Sequence, residues 1–62
     1  MNYSIKWKFR NDHEWTKQFP DMDSVVMFVN MCGIVSHPDV VEVILTNLST
    51  ETETFLKEKQ NV

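Results

Sequence analysis

The side chains able to do chemistry are few: one cysteine, Cys32, two histidines, His13 and His37, and scattered carboxylates. Cys32 with His37 is the nearest thing to a nucleophile and its base. That chemistry needs an exposed thiol, lowered in pKa and within reach of the imidazole. The sequence instead puts Cys32 at the C-terminal end of a helix, whose negative pole raises a thiol pKa. It also puts Cys32 on the helix's apolar face, where cysteine behaves as a small buried hydrophobe. A structural zinc would want close ligand pairs such as C-x₂₋₄-C, and Cys32, His13 and His37 supply none. Asp21, Asp23, Asp39 and Glu42 lack the alternating spacing, central glycine and closing glutamate of a calcium loop. The expectation is a protein without enzymatic activity, metal or cofactor.

Binding is the remaining chemistry, and two surfaces can be read. Lys6, Lys8 and Arg10 form a basic stripe on the polar face of a strand, with Lys17 nearby. A single-strand nucleic-acid platform would add stacking aromatics to that face, but the aromatics fall on the opposite one. The net charge of −3 also opposes generic affinity for phosphate. Residues 1–19 sum to +2 and residues 20–62 to −5, an asymmetry within ordinary surface scatter. The second surface is a helix face. Met27 and Met31 lie one turn apart on the side expected to look outward, Ser24 shares that side, and Phe28 borders it. Methionine-rich surfaces adapt to partner shapes, and exposed apolar patches mark interfaces. The expected role is a small protein-interaction module that docks through Ser24, Met27, Phe28 and Met31 to itself or to a larger cytosolic partner. Nucleic-acid binding through Lys6, Lys8, Arg10 and Lys17 is the alternative.

These residues must be carried by a single small domain of 62 residues. A chain this short buries only about 60% of the surface its unfolded form exposes. Dense aromatic packing is the means at hand: two Trp, one Tyr and four Phe are present, while a lone cysteine excludes an internal disulfide. The longest apolar-rich run, 25–35, falls well short of the ~20 residues of a membrane span. With no secretory signal pattern, a reducing cytosolic setting is expected.

The clearest local pattern is a hairpin. Tyr3, Ile5, Trp7 and Phe9 alternate with Ser4, Lys6, Lys8 and Arg10, the period of a half-buried strand. A three-residue loop 11–13 would pair Arg10 with Glu14, Phe9 with Trp15, Trp7 with Lys17 and Ile5 with Phe19. A two-residue loop would flip one strand's faces. Trp7 and Trp15 are then expected on one face, under a helix, as most of the aromatic core.

The helix should run over about 22–32, with Asp21 or Asp23 as N-cap and Gly33 as the left-handed residue that ends it. At 100° per residue, Met22, Val25, Val26, Val29 and Cys32 share the face expected to cover the sheet, with Phe28 on the flank. A third strand, rich in β-branched residues, is expected over 40–46, with Val41, Val43 and Leu45 alternating with Glu42, Ile44 and Thr46. Residues 51–56 read as a fourth strand in preference to a short helix, because threonine is a poor helix-interior residue. Residues 57–62 are expected to fray. The fold class expected is α+β, in the order β-β-α-β-β, one helix on one antiparallel sheet. If strand 3 joins strand 1, the helix makes a right-handed crossover and strand 2 becomes an edge guarded by inward-pointing Lys17.

Overall fold

The computed structural model describes residues 2–58. Its elements follow the expected order: β1 (Tyr3–Phe9), β2 (Glu14–Phe19), α1 (Met22–Cys32), β3 (Val40–Asn47) and β4 (Thr52–Lys57). The strands form one antiparallel sheet in the order β2-β1-β3-β4, with α1 on one face. Of the tail expected to fray, Lys57 instead closes β4 and donates from Nζ to the carbonyl of His37 at 3.0 Å. Residues 59–62 lie outside the described residues.

The first hairpin keeps its expected faces and changes its partners. The loop does have three residues, but they are 10–12. The N–H of Phe9 donates to the carbonyl of His13 at 2.8 Å, and the N–H of Asp12 to the carbonyl of Phe9 at 2.9 Å. Such a loop needs a left-handed residue at its third position. Asp12 takes it with φ 70°, a conformation aspartate tolerates. The one-residue shift of the loop moves every pair by two: Lys8 faces Glu14, Trp7 faces Trp15, Ile5 faces Lys17 and Tyr3 faces Phe19. Arg10 leaves the ladder and binds the 37–39 loop, N–H to the carbonyl of Asp39 at 2.7 Å and Nη2 to that of Pro38 at 2.9 Å.

The ends of α1 are set by local chemistry. Asp21 is the N-cap: its Oδ1 accepts from the N–H of Ser24 at 2.8 Å. Gly33 adopts φ 60°, and its N–H returns to the carbonyl of Val29 at 3.0 Å. The Ser24 backbone N–H, and secondarily its side chain, hold the Asp21 carboxyl below its ordinary value of 3.8. A depressed folded-state pKa contributes stability that is fully present above the unfolded pKa and lost as pH falls through the folded one. The difference in Tm between the native chain and Asp21→Ala should therefore be constant above about pH 4 and shrink on further acidification, since free aspartate titrates near there. Circular dichroism melts over a pH series measure it.

The face α1 turns inward differs from the expected one. Val25 is buried, and Phe28 and Val29 are half-buried against the core, whereas Met22, Val26 and Cys32 are exposed. At 100° per residue the helix is rotated roughly 60° toward Phe28. The cause is aromatic packing: the Phe28 ring lies 5.4 Å from Trp7 and 5.0 Å from Phe19. Trp15, on the same sheet face one strand further out, remains 57% exposed. The aromatic core is thus Trp7, Phe28 and Phe19, and Trp15 is not part of it.

The core itself joins Ile5, Phe19, Val25, Ile34, Val40 and Val43. Two irregularities in the ladder tune it. One lies between Lys8 and Phe9 and sets Val40 opposite Phe9; Val40 is therefore buried and Val41 only half-buried. The other lies where Leu56 is passed over between the Phe55–Ile44 and Lys57–Val43 pairs, and Leu56 packs against the core. No helix among the described residues is long and apolar enough to cross a membrane.

Candidate protein-docking surface

A four-stranded sheet with strands about 4.8 Å apart is too broad for one helix of 10–12 Å diameter to cover. α1 lies over β1 and β2 and makes no backbone-level contact with β3 or β4. On the helix side of that half Val40 and Val43 of β3 are nonetheless fully buried, and Leu45 and Leu56 pack half-buried against the core, so only a hollow remains between α1 and β4. A hollow of about 280 Å³ there is lined by Met22, Val25, Val26, Val29, Leu45 and Leu56, with Asn30. It runs into a second, of about 440 Å³, that shares Val29, Asn30 and Leu56 and reaches Gly33 and Ser36. Together they make a groove as long as α1, apolar on its floor and on its helix wall.

The residues expected to bind a partner are placed unequally along this helix. Met27 and Met31 stand out from the sheet, 62% and 79% exposed. Phe28 turns into the core between Trp7 and Phe19. Ser24 is half-buried and donates its N–H to the cap. Val26, 50% exposed, and Met22 flank the groove. Both were expected on the face that covers the sheet, as was Val29, which does pack against the core. The hollow itself has no signal in the sequence, because it depends on where α1 lands on the sheet.

The four cations of the alternative surface are not brought together. Lys6 and Lys8 lie on the sheet face away from α1, Arg10 binds the 37–39 loop, and Lys17 lies on the helix side. There its Nζ stands 5.7 Å from the Phe28 ring centroid and 5.9 Å from that of Phe19, a cation over aromatic faces at an edge strand. Lys8 is paired with Asp12 at 3.7 Å and Glu14 at 3.9 Å. The open face does hold one exposed aromatic, Phe55, across buried Ile44 from Lys6. Glu14, Glu42 and Glu53 share that face, so its acids outnumber its two lysines.

Cys32 is exposed at the end of α1, contrary to its expected burial. It is the last helical residue; by angle it falls between Val25 and Phe28, so its exposure belongs to its place at the end of the helix and not to the rotation. His37 is engaged locally: its Nδ1 accepts from the N–H of Asp39 at 3.1 Å, and its ring meets Phe9 edge-on at 6.2 Å. Among the described residues, no group of three or more His, Cys, Asp or Glu side chains gathers as metal ligands do. Compared with protein-family models, with curated proteins and with solved structures, the chain matches none.

Proposed function

We propose that the protein is a non-enzymatic interaction module that docks through the outer surface of α1 and the groove beside it. The observation that carries this is the set of exposed apolar side chains on α1, Met22, Val26, Met27 and Met31, beside a hollow whose lining includes Leu45 and Leu56. An uncovered apolar surface of this extent is retained where another surface covers it in use. The methionines add unbranched side chains that conform to a partner. Asp12 and Glu14 lie within 4 Å of Lys8, and the acids that share its sheet face repel phosphate, which favours protein over nucleic acid as the occupant.

Photo-cross-linking tests the reading. With p-benzoylphenylalanine installed at Met27, irradiation in the native host should yield discrete protein adducts. The same group at Lys6, on the opposite sheet face, should yield few. Adducts from position 6 with none from position 27 would refute docking through α1.

A further inference from the structure

We infer that β2 pairs with β2 of a second copy of this chain, antiparallel about a two-fold axis at Thr16, so that two sheets join into one with their two helices side by side on the same face. The inference rests on the docking surface proposed above and names what meets its β2-facing side, around Met27 and Met31.

The backbone of β2 suits this register. The N–H of Phe9 donates to the carbonyl of His13. By the alternation of an antiparallel ladder, Trp15 and Lys17 therefore exchange their bonds with Trp7 and Ile5 of β1. Glu14, Thr16 and Gln18 turn their N–H and C=O groups the other way, toward the free edge of the sheet. Centring the pair on Thr16 sets Thr16 against its own copy and Glu14 against Gln18, as an isologous contact requires. Each of these pairs can exchange both backbone bonds.

The same register sets Lys17 opposite Trp15 of the second copy. An inward-pointing lysine deters an arbitrary strand from this edge. Here it meets an indole on each side of the axis, and the two lysines stand only diagonal to one another, about 7–8 Å apart. Centring on Lys17 instead would set like charges directly opposite.

The position of the helix decides between the two edges of the sheet, β2 and β4. α1 straddles β1 and β2, so its axis lies one strand spacing from the free side of β2. Two copies joined there hold their helices two spacings apart, about 10 Å, and helices pack at about 8–10 Å. Joined through β4, the helices would stand six spacings apart, about 29 Å, and would not touch.

The side chains on that flank complete the seam. Phe28 packs on Phe19 of β2, so at 100° per residue Ser24 and Met31 face the β2 edge, with Met27 beside them. Met22 and Val26 line the hollow on the opposite flank. Ser24, Phe28 and Met31 follow at intervals of four and three, the spacing of a helix–helix seam. The axis stands perpendicular to the sheet, so the helices run antiparallel, and small Ser24 of one receives Met31 of the other. Met31, Met27 and Trp15 are the three most exposed large apolar side chains among the described residues. One axis covers Met31 and Trp15 and brings Met27 to the rim of the seam.

Sedimentation velocity of the full chain, over concentrations reaching the millimolar range, tests the pairing. The expected species has twice the 7.4 kDa mass of the chain. Thr16→Pro removes an N–H that the single chain leaves unbonded, a change that edge strands tolerate, and should return the monomer. Met31→Glu, at an exposed position, should do the same with far-ultraviolet circular dichroism unchanged, and it carries the test if Thr16→Pro alters the fold. In a Cys32→Ser background, Thr16→Cys should oxidise to a disulfide-linked dimer, since directly paired residues lie about 5.5 Å apart, within disulfide reach. Thr54→Cys, on β4, should not. A native chain that stays monomeric throughout overturns the inference; if adducts to a different protein then appear from position 27, the docking surface stands and only its occupant changes. A dimer that survives both Thr16→Pro and Met31→Glu, or that forms no disulfide from position 16, also overturns it.

Discussion

Phe19→Ala should leave the chain largely unfolded at room temperature. The Phe19 ring is buried and packs on Phe28, which in turn packs on Trp7. Removing it opens a cavity at the point where β2, α1 and the sheet meet. Truncating a buried phenylalanine to alanine costs about 3–5 kcal/mol, and a domain of this size has a total stability of roughly 3–5 kcal/mol. Trp15→Ala, by contrast, removes a larger but mostly exposed ring and should leave a cooperative melt. Denaturant titrations of both variants measure the difference. Equal losses would mean that Trp15 carries core packing which its exposure denies.

The second large effect concerns the helix. Val25→Asp should abolish the cooperative transition, because residue 25 is only 2% exposed and the core around it holds no partner for a carboxylate. An unpaired buried charge costs several kcal/mol, comparable with the whole stability of the domain. Met31→Asp, nearly two turns along the same helix, should change the melting temperature little. Thermal melts followed by circular dichroism separate the two. Val26→Asp joins the comparison because the apolar periodicity put Val26 in the core beside Val25, whereas the structure predicts tolerance there.

That disagreement shows which features are legible in a single chain. The caps were legible because they depend on neighbours in sequence: Asp21 needs only the amide of Ser24, and Gly33 needs only its own φ. Strand faces were legible for the same reason, since alternation is local. The phase of α1 was not. Val26 and Phe28 are both apolar, and their ranking depends on Trp7 and Phe19, which the helix meets only after the sheet has formed. The hairpin loop differs by one residue because 10–12 and 11–13 both place aromatics on the same face, and both offer a residue that tolerates the left-handed third position, Asp12 or His13; Asp12 takes it. The extra residues at Val41 and Leu56 could not be read at all, since a bulge exists only relative to a partner strand. The candidate surface shares this limit: Met27 and Met31 were visible as an outward pair, while the groove depends on where the helix lands on the sheet.

The placement of β1 at the centre of the sheet has a consequence for the order in which the molecule assembles. One flank of β1 is closed by β2, its immediate successor in the chain, and the other by β3, which pairs Ile5 with Leu45 across most of the chain. Closing a loop that long is entropically slower than closing a hairpin, and non-local pairing of this sort sets folding rate. The hairpin can form on its own timescale of microseconds, but it then waits with the free flank of β1, including Ile5 and Trp7, exposed. Truncating Val43, which is fully buried, would weaken the native state and also leave this flank exposed for longer during folding. Such a variant would be lost to aggregation during refolding at concentrations where the native chain refolds.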